Sequence, residues 1–148
     1  KERYNGRYKQ YDVEFVGWRC KGDDLRAVIG IEQLKKLPAN TTQRDAIVRR
    51  YNEALGLKRT GNHVYPILVD QRDKFMDFMI DNGIQCTVHF KPLHLMTGYK
   101  KYAKKLSLPN TEYLGERIVS LPLFPQLTDE EVDYIVQKVK ESKLFICA

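Results

Sequence analysis

The chain has 148 residues, 43% of them hydrophobic and 30% charged, with a formal net charge of +6 and a pI near 9.2. That length and mixture suit one folded domain with its own core and exclude a disordered or collagenous chain. Charges interrupt every apolar run before the roughly 18 to 20 residues a membrane span needs, and the polar opening Lys1-Glu2-Arg3-Tyr4 has no apolar signal-peptide core.

The first residues show neither a helical nor a strand period and lack an initiator Met, so the sequence reads as a segment of a longer polypeptide. A helix is predicted from about Asp23, because Leu25, Val28, Ile29, Leu34 and Leu37 recur at helical spacing behind a cap at Asp23 or Asp24, after Gly22. Pro38 and Asn40 are expected to break it. A second stretch follows with Ile47, Val48, Tyr51 and Leu55 and ends at Gly56, giving one broken helix or two short ones. The run from His63 to Val69 is β-rich and too short for a helix, and Pro66 predicts an edge or bulged strand.

Phe75, Met76, Met79 and Ile80 predict a helix closed by Asn82-Gly83, and Ile84 to Phe90 alternates with period two, as a strand does. The stretch from Lys91 to Pro109 is expected to be a long irregular connection with one helical turn around Tyr99 to Lys105. A short helix from Thr111 to Arg117 then leads into a strand beginning at Ile118, ended by Pro122 and Pro125. Thr128-Asp129-Glu130-Glu131 is a capping box opening a last helix with Val132, Ile135, Val136 and Val139 inward. Helices interleaved with about three short strands predict an α/β domain of the α+β type, a small two-layer sheet with helices packed on it. This architecture selects no function.

Cys20, Cys86 and Cys147 form neither an even set nor a C-x-x-C spacing, which argues against a disulfide framework or zinc ribbon and points to a reducing cytoplasm. His89 and His94, with Lys91 between them, gather imidazoles and an ammonium at a strand end. A third metal ligand at recognisable spacing is missing, so no metal is assigned, and a histidine hydrogen-bonded inside the scaffold competes with a ligand-binding one. Lys100, Lys101, Lys104 and Lys105 interleave with Tyr99 and Tyr102, a pattern suited to nucleic acid. It equally suits a solvated helical face, and no helix-turn-helix, RNA-recognition or zinc-finger signature supports a nucleic-acid partner. A Cys86–His89 nucleophile pair is a third reading, set against Cys86 as a core residue.

Three ordered blocks carry a family resemblance. The segment Gly17-Trp18-Arg19-Cys20-Lys21-Gly22-Asp23-Asp24-Leu25-Arg26-Ala27-Val28-Ile29-Gly30 with Gln33-Leu34-Lys35-Lys36-Leu37, the block Val88-His89-Phe90-Lys91-Pro92-Leu93-His94-Leu95, and Leu121-Pro122-Leu123-Phe124-Pro125-Gln126-Leu127-Thr128-Asp129-Glu130-Glu131-Val132 resemble motifs of the DegT/StrS family of pyridoxal-phosphate-dependent sugar aminotransferases. The resemblance implies the carboxy-terminal small domain of a fold-type I aminotransferase over residues 17–148, with residues 1–16 as an arm or interdomain segment. The large domain with the Schiff-base lysine is absent from the chain, so no catalytic residue is assigned within it.

It further implies pyridoxal phosphate as the parent's cofactor, nucleotide-sugar and amino-donor substrates, a homodimer and a cytoplasmic location. Arg19 and Lys21 stand where the family usually has Asn and Arg, and are the candidate cofactor-binding residues. His89 matches the histidine of the family's V-H-Y block and is, with Lys91, a candidate for substrate binding; His94 matches a second histidine with a structural role. The departures at Arg19 and Lys21 leave room for an altered substrate or a non-catalytic homologue, and the competing class is such a homologue or a basic binding module for phosphorylated ligands.

Overall fold

A computed structural model describes residues 23–103 and 106–146. Its first element, α1 (Asp24–Leu55), is a single helix of 32 residues. Asp23 caps it by accepting a hydrogen bond from the Arg26 amide at 2.9 Å, and Gly56 ends it at φ 69°, a left-handed value that glycine tolerates. The break expected at Pro38 does not occur. Proline removes one intrahelical bond, to the Leu34 carbonyl, but Leu34 is 65% exposed, so water can take that carbonyl and the helix continues. Thr42 Oγ1 donates to the Pro38 carbonyl one turn on.

The sheet has three antiparallel strands, β1 (Tyr65–Val69), β2 (Ile118–Leu121) and β3 (Phe145–Ile146), in the order β2-β1-β3. Pro66 therefore lies in the central strand, not on an edge. The register explains why this is tolerated. Ser120, opposite Pro66, exchanges both backbone bonds with Thr87 at 2.8 and 3.2 Å, so the Pro66–Ser120 pair carries no ladder bond and the proline nitrogen faces the other side of β1. There β3 pairs only with Leu68 and Val69, and no donor is missed. β3 follows a turn at Lys143, φ 56°, and two residues are too few to show alternation in the sequence.

Three further helices lie among the described residues: α2 (Arg72–Asp81), α3 (Pro109–Arg117) and α4 (Asp129–Glu141). The capping box predicted for α4 is present, with Thr128 Oγ1 accepting from the Glu131 amide and Glu131 accepting from the Thr128 amide. One core joins α1, α2 and α4 to one sheet face through Ile47, Val48, Tyr51, Tyr65, Ile67, Phe75, Met79, Val119, Val132 and Val139 among others. Arg50 holds α1 to α4 with a two-pronged bond to Asp133, at 2.9 and 2.6 Å, and a 3.0 Å contact to Asp129. None of the described helices is long and apolar enough to cross a membrane.

The stretch 84–90 keeps the predicted alternation, with Ile84, Cys86 and Val88 buried, yet it pairs only through a single bridge, Thr87 to Ser120. It is an extended segment alongside β2 and not a full strand. Beyond it a 3-10 turn (Leu93–Leu95) and further turns through Ala103 make the irregular connection expected there. That connection seats on α3. Pro92 packs against Gly115, where any added Cβ would overlap the Pro92 ring, and the Gly115 carbonyl accepts from the buried Arg72 guanidinium of α2.

Candidate functional site

Where the 84–90 segment runs beside β2 and the start of α4, a cleft of about 650 Å³ opens, its polar lining made by His63, Gln85, Thr87, His89, Ser120, Glu131 and Tyr134 and the rest mostly by apolar side chains such as Phe124. Each wall has a sequence cause. Period-two alternation puts Cys86 and Val88 into the core and leaves Thr87 and His89 on the opposite face. Cross-strand pairing places Ser120 on that same face. Pro122 and Pro125 end β2 and lead the chain past Phe124 into the α4 cap, while Tyr134 donates to the Asn82 carbonyl at 3.2 Å across the mouth.

His89 is half-buried. Its Nδ1 meets the Ser120 hydroxyl at 2.9 Å and the Thr87 hydroxyl at 3.3 Å, and its ring meets Phe90 edge-on at 5.1 Å. Burial first, and the nearby His63 second, hold the imidazole below its ordinary value of 6.5, so it is neutral at neutral pH. Nε2 has no partner among the described residues and is the one ring atom left to meet a ligand.

The other sequence candidates are distributed differently. Lys91 is half-buried and does not line the cleft. His94 does not join His89; its largely buried ring contacts Glu112 at 3.0 Å. Glu112 also accepts from the Leu108 amide, and that bond, then the one with His94, lowers the Glu112 carboxyl. His94 therefore pins the 91–103 connection to the start of α3. Cys86 is a core residue whose thiol burial pushes up to about 12, so it has almost no thiolate at neutral pH and the Cys86–His89 nucleophile reading fails. Arg19, Lys21, Cys20, Cys147, Lys104 and Lys105 lie outside the described residues. Among the described residues no His, Cys, Asp and Glu cluster could hold a metal ion.

Sequence reasoning missed three members of the cleft. His63 is remote along the chain, and nothing local announces it. Ser120 was visible as the single hydroxyl in the run Ile118-Val119-Ser120-Leu121, where a strand residue 3% exposed demands a partner. Thr87, two residues before His89, shares its face by simple alternation. Pyridoxal phosphate needs an imine-forming lysine and cations or amides around its phosphate. No lysine or arginine lines the cleft, so the described residues do not by themselves fit this cofactor.

Comparison with known proteins places the whole arrangement. A sequence model of the DegT/DnrJ/EryC1/StrS aminotransferase family matches residues 2–140. Uncharacterized protein MJ1066 of Methanocaldococcus jannaschii is 34% identical over 151 residues, covering 88% of this chain and 39% of its own. Among solved structures, a DegT DnrJ EryC1 StrS aminotransferase from Brucella abortus is 31% identical with a TM-score of 0.72, over 93% of this chain and 40% of that one. The PLP form of the putative sugar aminotransferase Spr1654 from Streptococcus pneumoniae is 28% identical with a TM-score of 0.74, over 90% of this chain and 38% of that one. The chain thus spans about two fifths of the length of the relatives it matches.

Proposed function

The chain belongs to the DegT/DnrJ/EryC1/StrS aminotransferase family, and from that premise we propose that it is the carboxy-terminal part of a pyridoxal-phosphate-dependent enzyme that moves an amino group, from glutamate, to a nucleotide-linked keto-sugar in amino-sugar biosynthesis. Residues 17–148 form the small domain of that enzyme and residues 1–16 the arm leading into it. The observation carrying this reading is the match itself, in which about nine tenths of the chain superimposes on less than half of a sugar aminotransferase. The apolar face of α1 between Leu25 and Leu37, exposed along its length, is where the remainder of the polypeptide packs.

In this reading the large domain supplies the cofactor's lysine, and a homodimer in the cytoplasm completes the site. The chain's share is recognition. Arg19 and Lys21 meet the cofactor phosphate, a task a guanidinium performs bidentately and an ammonium as a point charge. His89 offers Nε2 to an oxygen of the sugar nucleotide, and Lys91 supplies positive charge toward its diphosphate. The isolated chain is inactive, because neither the described cleft nor the residues beyond it match the Schiff-base motif.

The test is made on the full-length protein. It should carry one tightly held pyridoxal phosphate per subunit and convert glutamate to 2-oxoglutarate only when a nucleotide-linked keto-sugar is present. His89→Ala and Lys91→Ala should each raise the KM for that sugar, by about ten-fold or more for loss of a charge-assisted contact. A full-length protein that binds no cofactor but retains nucleotide sugars overturns the enzymatic reading in favour of a non-catalytic homologue, the class for which the Arg19 and Lys21 departures leave room.

A further inference from the structure

We propose that Ser120, seconded by Thr87, is a positioning residue that fixes His89 in the tautomer with the proton on Nε2, so that the imidazole meets its ligand as a neutral hydrogen-bond donor and not as a base. The inference rests on the reading of His89 as a substrate contact and adds which atom carries the proton and what holds it there.

Two hydroxyls, at 2.9 and 3.3 Å, converge on one nitrogen of the ring, Nδ1. A hydroxyl can donate or accept, so the geometry alone allows either sense. Burial decides between them. Ser120 is 3% exposed, its backbone N–H and C=O are both used on Thr87, and its hydroxyl has no other partner among the described residues. If Nδ1 carried the proton, Ser120 Oγ would accept it and leave its own hydrogen without a protein acceptor, which costs free energy in a buried position. With Nδ1 bare, the Ser120 hydroxyl donates to it and the conflict disappears. The Thr87 hydroxyl can approach the same lone-pair side.

The proton then sits on Nε2, the atom without a partner. Depression of the His89 imidazole by burial keeps the ring neutral, so it carries one proton and not two. A fixed Nε2–H matches an acceptor, such as a hydroxyl or phosphoryl oxygen. Residues that orient an imidazole through its far nitrogen are the general means by which proteins choose its tautomer.

The experiment records long-range 1H–15N correlation spectra of the 15N-histidine-labelled chain near neutral pH. His89 should show a protonated Nε2 and a bare Nδ1, with well-separated nitrogen shifts. Ser120→Ala should narrow that separation toward an averaged mixture, Ser120→Thr should restore it, and Thr87→Ala should perturb it less than Ser120→Ala. A wild-type ring protonated on Nδ1 overturns the proposal without any variant, even if Ser120→Ala fails to fold. A separation unchanged in Ser120→Ala also overturns it. In the full-length enzyme, Ser120→Ala should raise the sugar-nucleotide KM with little change in kcat, and Ser120→Thr should recover it. If His89→Ala leaves that KM untouched while the spectra are as expected, the substrate-contact reading fails and the tautomer assignment stands; the reverse pattern sinks the assignment alone.

Discussion

The two halves of α1 carry similar apolar spacing and have opposite fates. From Ile47 to Leu55 the helix turns Ile47, Val48, Tyr51 and Leu55 into the core, Tyr51 with no exposed surface. From Asp24 to Leu37 the equivalent positions stand in solvent, with Leu25 77% exposed and Leu34 65%. A helical stripe therefore specifies which face wants a partner and says nothing about whether the partner lies in the same stretch of chain. The carboxy-terminal half is held by packing. The amino-terminal half, about four turns long with a proline at its end, has, among the described residues, its own hydrogen bonds, its Asp23 cap and pairs such as Lys35–Glu32, and helices of that length are marginal in water on their own.

The largest effect comes from removing the anchor of the buried half. Tyr51 packs against Tyr65 with ring centroids 4.7 Å apart and the rings tilted by 41°, and donates to the Pro122 carbonyl at 3.0 Å. Tyr51→Ala should cost about 3 to 5 kcal/mol, the range for deleting a buried aromatic side chain. Leu34→Ala in the exposed half should change global stability by no more than about 0.5 kcal/mol. Urea denaturation of the pair reads both, and similar costs would erase the distinction between the halves.

Next comes the junction. Pro38→Ala restores an amide donor for the Leu34 carbonyl and removes a residue that disfavours a helix interior by about 3 kcal/mol. Because the amino-terminal half has no core contacts to lose, that gain should appear as slower local amide exchange across residues 30–38, by up to roughly a hundred-fold, with the global midpoint little changed. A matching rise in global stability would mean that the two halves unfold together. A smaller, opposite effect is expected at Asn52 in the buried half, which clasps Arg59 through both its backbone N–H and C=O and accepts from the Tyr65 hydroxyl. Asn52→Ala orphans all three and should cost about 1 to 3 kcal/mol in the same denaturation experiment.

How much of this was legible in the sequence follows the range of the interactions involved. Most local signals were read correctly: an Asp23 or Asp24 cap, of which Asp23 is the one used, the Gly56 stop, the Thr128–Glu131 box and the span of β2 are each set by neighbours within a few residues. One local signal misled, Pro38, which α1 carries in its interior beside an exposed Leu34; the other errors arose where a distant partner decides. Pro66 looked like an edge residue, but the bridge from Thr87 to Ser120 and the shortness of β3 leave its nitrogen facing no acceptor in the middle of the sheet. The 84–90 segment has a strand's burial pattern, yet the pairing that would make it a strand is confined to one residue. The cleft was half visible, since His89 announced itself by the motif around it, whereas His63 and Ser120 reach it only through the fold, and His94 was drawn away by Glu112.

The smallest effect is electrostatic and tests whether charge or packing fastens the buried half of α1 to α4. The hydrogen bond from Arg50, more than its charge, holds the exposed Asp133 carboxyl below its ordinary value of 3.8. A carboxyl depressed in the folded state stabilises that state above its unfolded pKa, and the stabilisation fades as the pH falls through the lower folded value. Arg50→Ala should therefore be slightly less stable than the parent at neutral pH, and the two curves should converge below about pH 4. Added salt should narrow the neutral-pH gap, since exposed pairs are screened. A gap that persists in acid and in salt would instead assign the loss to the Arg50 stem packed along the helix. The matching change in the exposed half, Lys35→Ala, breaks the 2.5 Å contact with Glu32 and should leave the global pH curve unmoved, because a segment that opens on its own contributes nothing to the cooperative transition.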